Sequence, residues 1–261
     1  MNIPCVANVT GLGTAVENKG IIQKITILLY KFAFRKLKML FFQNEENMQF
    51  FIDHKIQGKN YDLLPGSGVN LERFCAIDYP EDNGETHFAF ISRIMKEKGV
   101  DQYLEAAEYI RRKYPDTHFH VCGFCEQDYE KQLEELTKKG IITYHGMVRD
   151  VKGFMKDMHC IIHPTYYPEG ISNVLLESSA CARPIITTDR AGCREVIDNG
   201  NNGFIVMQKN SKDLIEKIEK FLSLSYEEKK QMGIEGRKKV EKEFDRQIVV
   251  NKYLEQVEKI R

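Results

Sequence analysis

From residue 86 onward, short runs rich in β-branched and aromatic residues alternate with amphipathic helical segments. Such alternation is typical of a parallel sheet with helices on both faces, because parallel strands need long crossover connections. We therefore predict an α/β fold. The predicted strands are residues 87–92, 118–122, 141–145, 160–163 and 184–187, each closed by Gly, Pro or a polar turn.

Three helices are predicted with some detail from the same pattern. Residues 99–114 carry apolar side chains at helical spacing, and Pro115 marks the end of that helix. Two long charged helices follow at 211–224 and 225–261, the second broken near Phe244. Their mixtures of Lys and Glu indicate faces exposed to solvent.

The first 72 residues are organised differently. They contain a glycine turn at 11–13, followed by a helical stretch. A short strand at 40–42, a short helix from about residue 45 and a second turn at 64–68 come next. A complete Rossmann-like domain needs more βαβ units than this. We therefore predict a partial domain at 1–72, a complete domain at 73–242, and a C-terminal helix at 243–261 that packs back toward the first domain.

Composition narrows the functional classes. The chain has 261 residues, of which 42% are hydrophobic, so disorder, collagen and coiled coil are excluded. The formal net charge of +0 argues against a nucleic-acid partner. No window approaches the roughly 18 apolar residues of a membrane-spanning helix. The seven cysteines, in a chain that shows no secretion leader, predict free thiols and a cytoplasmic location.

Two loops between a strand and a helix contain charged residues suited to a sugar nucleotide. Glu169 and Glu177 lie eight positions apart in the segment 164–177, which follows an apolar strand. Carboxylates accept hydrogen bonds from pairs of sugar hydroxyls, and the helix N-terminus between them suits a phosphate. Arg93 and Lys98, in the second loop, form a cation pair suited to a diphosphate. Taken singly, each loop also fits an ordinary solvated turn.

Together these segments resemble the donor-binding half of the glycosyltransferase family 4 enzymes, which have the GT-B fold of two facing Rossmann-like domains. Ordered matches run through nearly the whole chain, so chance similarity is far less plausible than for a single glycine motif. They lie at 11–13, 65–70, 73–74, 93–99, 146–148, 169–177, 183–188, 192–197 and 202–203.

The resemblance implies a retaining transfer of sugar from a nucleotide diphosphate, most simply UDP, to a polysaccharide or an undecaprenyl-linked glycan. It is closest to bacterial enzymes of capsule, exopolysaccharide and N-glycan precursor synthesis. By this resemblance, Arg93 and Lys98 bind the donor diphosphate and stabilise the leaving charge, while Glu169 holds the transferred sugar. The family works without a metal ion or another cofactor, and the leaving phosphate helps to deprotonate the acceptor.

The remaining donor contacts also follow from the resemblance. Glu177 takes the ribose hydroxyls, and Val148, together with Asp150, borders the base. The backbone amides that complete the cradle for the sugar and phosphate are those of Gly170, Ile171, Ser172, Asn173 and Val174.

The family's first glycine-rich loop and its acceptor-side histidine have no counterpart in this sequence, so we expect an N-terminally truncated member. One alternative function is therefore a catalytically inert donor-binding module, or one half of a split enzyme. A sugar-nucleotide epimerase with the same fold is another. A glycosidase using Glu169 and Glu177 as acid and base is a third, against which the cation pair of Arg93 and Lys98 argues, since a glycosidase binds no diphosphate.

Residues 21–40 form a basic amphipathic pattern. Lys24, Lys31, Arg35 and Lys38 fall on one stripe of a helix, and Ile22, Ile25, Leu29, Phe32 and Ala33 fall on another. Such a helix rests on anionic lipid, which predicts contact with the inner face of a membrane. The alternative is a helix that packs its apolar side on its own sheet.

Two weaker patterns have simpler interpretations. Cys122 and Cys125, with His118 and His120 nearby, resemble a redox motif or half of a zinc site, but no second Cys pair follows at zinc spacing. We interpret Gly123 as the turn at the end of a strand. Tyr166 and Tyr167 have the chemistry to stack on a sugar or base, although packing within the loop explains them equally.

Overall fold

The computed structural model describes residues 4–17, 19–56 and 60–260. They form two parallel sheets. The smaller sheet contains β1 (Val6–Val9), β2 (Met39–Phe42) and β3 (Tyr61–Leu63). The larger sheet contains β4 (Thr86–Ile91), β5 (Thr117–Cys122), β6 (Thr143–Tyr144), β7 (Cys160–His163), β8 (Ile185–Thr188) and β9 (Gly203–Val206).

Ten α-helices and one 3₁₀ helix, Lys96–Lys98, accompany these strands in the described residues. The α-helices are α1 (Thr14–Glu17), α2 (Ile21–Ala33), α3 (Glu45–Asp53), α4 (Val100–Lys113), α5 (Glu130–Lys138), α6 (Val151–Met155), α7 (Asn173–Ala180), α8 (Ser211–Leu222), α9 (Tyr226–Glu243) and α10 (Arg246–Ile260).

The strand order of the larger sheet locates a ligand crevice. Its order is β6-β5-β4-β7-β8-β9, and every neighbouring pair is parallel. The chain therefore moves outward from β4 to β6, then returns to the other side of β4 at β7. In open α/β sheets, ligands bind at the carboxyl ends of the strands where the order reverses. Here that point lies between the loops that follow β4 and β7.

All five predicted strands are confirmed, with bounds within two residues of the predicted ones. They form because both faces of the sheet are covered. Phe88 and Phe90 point to one buried cluster, and Ala89 and Ile91 point to another on the opposite face. Burial on both faces explains why these strands are almost continuously apolar in sequence.

The C-terminal part of the chain contacts the smaller sheet. The predicted break near Phe244 is confirmed, because α9 ends at Glu243 and α10 begins at Arg246. The ring of Tyr253 in α10 lies 5.1 Å from that of Phe41 in β2. Lys252 donates a 2.6 Å hydrogen bond to the carbonyl of Leu63.

The predicted helix over residues 21–40 is too long. Helix α2 ends at Ala33, and a turn at 34–36 with a short link leads to β2, so Arg35 and Lys38 lie outside the helix. The reason is burial: residues 39–42 form β2, in which Leu40, Phe41 and Phe42 are fully buried. Within the described residues, the structure contains no helix with both the length and the apolar character needed to cross a membrane.

Candidate functional site

A cavity of about 370 Å³ lies at the carboxyl ends of β4 and β7, where the strand order reverses. Loops that follow strands of both sheets line it. Eight of the ten predicted donor-site residues line it; Val148 and Glu177 do not. Its walls are Thr10, Gln43, Ser67, Ile91, Ser92, Arg93, Lys98, His163 and residues 167–174.

Lys98 and Glu169 meet in this cavity as an ion pair. Their side chains are only 10% and 14% exposed, so each charge depends on the other in place of water. Burial lowers the pKa of the Lys98 ammonium group to about 8. Lys98 closes the 3₁₀ helix after β4, and Gly99, with φ of 79°, follows it in a left-handed conformation. This tight turn holds the ammonium group against the loop after β7.

Arg93 lies beside Lys98, as the predicted cation pair requires. The guanidinium of Arg93 and the ammonium of Lys98 lie 5.6 and 4.9 Å from the centroid of the Tyr167 ring. Arg93 also forms a 2.5 Å ion pair with Glu126, in which both side chains are about 40% exposed. Tyr167 therefore supports the two cations, whereas Tyr166 lies beneath Lys209.

Two residues that follow β2 of the smaller sheet hold the loop after β7 through hydrogen bonds. The amide of Asn44 donates to the carbonyls of Glu169 and Gly170, at 3.1 and 2.8 Å. The side-chain carbonyl of Gln43 accepts a hydrogen bond from the N–H of Ile171. Sequence reasoning missed both residues, although each follows the apolar run of β2, where polar side chains at a strand end are a usable signal.

The backbone amides of residues 170–174 are not equivalent. The N–H of Ile171 donates to Gln43, and that of Ser172 donates to the carbonyl of Gly192 at 2.8 Å. Asn173 and Val174 begin helix α7, where the first N–H groups have no partner within the helix. These two amides and the positive end of α7 therefore face the cavity with capacity for an anion.

His163 is a buried member of the site that sequence reasoning did not select. It ends β7 with 1% of its surface exposed, and its Nε2 lies 3.3 Å from the hydroxyl of Ser172. Its Nδ1 has no hydrogen-bond partner. Burial lowers the pKa of His163 well below its usual range, and the charge of Lys98 acts in the same direction. The ring is therefore neutral and lines the cavity floor without adding charge.

Glu177 and Val148 lie beyond this cavity. Glu177 is one turn further along α7 and is half-buried. Burial raises the pKa of its carboxyl group, and the positive charges of Arg73 and Arg246 oppose that shift. Val148 packs against the apolar core on the same side of the sheet as α7.

Comparison with known proteins identifies the family. Residues 77–239, well over half of the chain, match the model of the family described as glycosyl transferases group 1. The chain belongs to this family. It therefore carries the domain of a group of sugar-transferring enzymes, and that domain contains Arg93, Lys98 and Glu169 of the cavity described above.

Two relatives have names that refer to bacterial glycans. The chain is 25% identical to N,N'-diacetylbacillosaminyl-diphospho-undecaprenol alpha-1,3-N-acetylgalactosaminyltransferase of Campylobacter jejuni, over 97% of the chain and 70% of that protein. It is 32% identical to the capsular polysaccharide biosynthesis glycosyltransferase CapM of Staphylococcus aureus, over 61% of the chain and 42% of that protein. The chain thus spans only part of the length of these relatives.

Solved structures establish the fold of this family member as GT-B. Alr3699/HepE of Anabaena, in complex with UDP and glucose, superposes with a TM-score of 0.80 at 17% identity. The match covers 98% of this chain and 71% of that one. The predicted GT-B architecture with Rossmann-like α/β domains is confirmed.

Proposed function

We propose that this chain is a retaining glycosyltransferase of family 4 that takes a sugar from a UDP-sugar. The observation that carries the proposal is the meeting of Arg93, Lys98 and Glu169 in one cavity where the strand order reverses. Two cations there suit the diphosphate, and the carboxylate suits the hydroxyls of the transferred sugar. The complex of Alr3699/HepE with UDP-glucose supports this choice of donor.

In the proposed reaction, the bond between the anomeric carbon and the β-phosphate oxygen breaks, and the acceptor oxygen bonds to that carbon on the same face. The acceptor proton passes to the departing phosphate. Negative charge grows on that phosphate as the bond breaks, so Arg93 and Lys98 stabilise the transition state more than the bound donor. The fixed dipole of α7 acts in the same direction through the amides of Asn173 and Val174.

The nucleoside is proposed to extend along α7, beyond the 370 Å³ cavity. Glu177, one turn past the start of that helix, then accepts hydrogen bonds from the ribose hydroxyls, and Val148 borders the base. In this arrangement residues 73–242 form the donor-binding domain, residues 1–72 form the acceptor side, and residues 243–261 join the two. The acceptor is proposed to be a polysaccharide or an undecaprenyl-linked glycan, as the printed names of the relatives suggest.

Contact with the inner face of a membrane is proposed through helix α2. Its side toward the smaller sheet packs through Ile27 and Tyr30. The opposite side exposes six large apolar residues, each at least 53% accessible: Ile21, Ile22, Ile25, Leu28, Leu29 and Phe32. Lys24 and Lys31 flank this surface, and cations beside an apolar face suit anionic lipid. Such contact would hold a cytoplasmic enzyme at the membrane in which a lipid-linked acceptor is anchored.

The proposal is tested by calorimetric titration of the full chain with UDP and with GDP. We expect UDP to bind, and we expect Arg93→Ala and Glu177→Gln to weaken its binding by tenfold or more, because each removes a direct contact. Arg112→Ala is the matched control, since Arg112 is an exposed arginine near the far end of α4. Its affinity for UDP should equal that of the parent.

Transfer is then measured with UDP-hexoses and UDP-N-acetylhexosamines and an undecaprenyl-linked glycan. Transfer with retained anomeric configuration supports the whole proposal. UDP binding without transfer would reduce the chain to a donor-binding module. A folded sample that binds no nucleotide would overturn the assignment of the cavity itself.

A further inference from the structure

Five histidines lie together on the larger sheet, three of them near the amino ends of its strands, at the opposite end from the donor cavity, one within β5 and one just after β6. They are His87, His118, His120, His145 and His159, and they come from four strands or from residues next to them. The parallel register places His87 directly beside His118, and Ala89 beside His120. Because side chains alternate along a strand, these histidines share one face of the sheet.

Glu85 completes a group of three possible ligands at this end of the sheet. It precedes β4 by one residue and lies two positions before His87, so it is on the same side of the chain. Its carboxylate oxygens lie 3.4 Å from Nε2 of His87 and 3.6 Å from Nε2 of His118. The rings of His87 and His118 are stacked, with centroids 4.6 Å apart.

We infer that Glu85, His87 and His118 form a binding site for a divalent transition-metal ion of the zinc type. One ligand atom from each residue lies within 4.8 Å of the other two. In a tetrahedral site with bonds of about 2.0 to 2.1 Å, neighbouring ligand atoms are about 3.4 Å apart. The contacts from Glu85 are of similar length, but each joins a different carboxylate oxygen to one imidazole, so an ion would draw the three ligand atoms closer together on binding. Two imidazoles and one carboxylate form a ligand set that suits Zn²⁺ and leaves a coordination position open.

A row of hydrogen-bonded rings behind His87 supplies the outer support that such a site requires. Nδ1 of His87 lies 3.0 Å from Nε2 of His120, and Nδ1 of His120 lies 3.0 Å from Nε2 of His145. A metal on Nε2 of His87 places the ring proton on Nδ1, which then donates to His120. His120 in turn donates to His145. Metal-bound histidines usually have an acceptor of this kind, which orients the ring.

The three ligands are also accessible to an ion from solution. The side chains of Glu85, His118 and His87 are 47%, 35% and 23% exposed. One oxygen of the Glu85 carboxylate contacts His87 and the other contacts His118, so both imidazoles approach the same exposed carboxylate. The inference is independent of the proposed transfer reaction, since none of the three proposed metal-binding residues lines the donor cavity.

The test is titration of the chelator-treated full chain with Zn²⁺ by calorimetry, and with Co²⁺ by visible absorption. We expect one equivalent of Zn²⁺ to bind, and Mg²⁺ not to compete, because Mg²⁺ prefers oxygen ligands. Glu85→Gln and His118→Gln should each weaken Zn²⁺ binding at least tenfold. Glu81→Gln is the matched control, since Glu81 is an exposed glutamate in the same loop. Its affinity should equal that of the parent.

Circular dichroism and thermal unfolding of each variant verify that it is folded, and all three substitutions are at the surface. The Co²⁺ spectrum is expected to show the intense visible bands of a four-coordinate ion without a thiolate charge-transfer band. Zn²⁺ binding that persists in both Glu85→Gln and His118→Gln would overturn the inference. A thiolate band that disappears in Cys125→Ser would instead assign the metal to the cysteine pair.

Discussion

At the scale of single residues, Arg183 shows how a buried charge holds this fold together. Its side chain is fully buried, and its guanidinium donates only to backbone carbonyls. The acceptors are the carbonyls of Ile77, Asp78, Met155, Lys156, Cys181 and Ala182, at 2.6 to 3.4 Å. The planar fork thus ties the segment before β4 to the ends of α6 and α7.

We predict that Arg183→Lys lowers the free energy of unfolding by about 3 kcal/mol, because a lysine has three donors and leaves several buried carbonyls unpaired. Urea unfolding measures the change. Arg112→Lys is the control, since that guanidinium is exposed and its replacement should cost less than about 0.5 kcal/mol. Equal stability of the two variants would show that the network around Arg183 contributes little.

Lys98 leads to a prediction about pH. Since its pKa is about 8, the ammonium group is charged at pH 7 and mostly neutral at pH 9. The charged form attracts the diphosphate, so the affinity for UDP should fall as pH rises through 8, by up to about tenfold between pH 7 and 9. Titration calorimetry at several pH values measures this slope. Lys98→Arg should remove it, because a guanidinium stays charged in this range; an unchanged slope would assign the titration to another group.

At the scale of elements, α2 is a helix with two apolar sides, and only one of them is packed. Ile27 and Tyr30 contact the core of the smaller sheet, while Ile25, Leu29 and Phe32 point into solvent. An exposed apolar stripe was one of the two alternatives that the sequence left open, and the structure has it with Lys24 and Lys31 beside it, whereas Arg35 and Lys38 lie outside the helix. The sequence did not reveal that a different side of the helix packs on the sheet. Both sides carry apolar residues, so hydrophobic periodicity alone does not predict which side packs on the sheet.

We predict that Ile25→Asn combined with Phe32→Asn abolishes binding of the chain to vesicles containing phosphatidylglycerol, measured by co-sedimentation. Binding of the parent should weaken with salt, because Lys24 and Lys31 contribute through electrostatic attraction. Met147→Asn is the control: Met147 is 67% exposed but lies outside α2. Undiminished binding by the double variant would exclude α2 as the lipid-facing surface.

At the scale of the whole molecule, α10 connects the end of the chain to the sheet at its beginning. Tyr253 and Val249 pack with Met39, Phe41 and Leu64 in one cluster. Lys252 adds an ion pair with Asp62, at 3.2 Å. Covering this side of the smaller sheet buries apolar surface that three strands alone would leave in water.

We therefore predict that Tyr253→Ala lowers the free energy of unfolding by about 2 kcal/mol, through loss of the ring contact with Phe41 and of apolar burial. Leu254→Ala, at a neighbouring residue that is 54% exposed, should change it by less than about 0.5 kcal/mol. Urea unfolding followed by circular dichroism compares the two. A similar loss in both variants would mean that the effect does not arise from packing of Tyr253 on the sheet.

Much of the fold was predictable because it follows from local patterns. The strands of the larger sheet are apolar runs between glycine, proline and polar turns, and both ends of α4 are marked by Gly99 and Pro115. Arg93, Lys98 and Glu169 were selected because charged residues after a strand lie at the edge of the sheet where ligands bind in such folds, and the structure brings the three into one cavity. Gln43 and His163 were missed, since a single polar residue beside a strand has no distinctive spacing.

The amino-acid sequence by itself determined the α/β class and the places where strands end, because hydrophobic period and turn chemistry act over a few neighbouring residues. Only the tertiary structure decided which distant residues meet. It pairs Lys98 with Glu169, Gln43 with Ile171 and His87 with His118. Those contacts depend on strand order and register, which are set by packing both faces of a sheet, so no local pattern contains them.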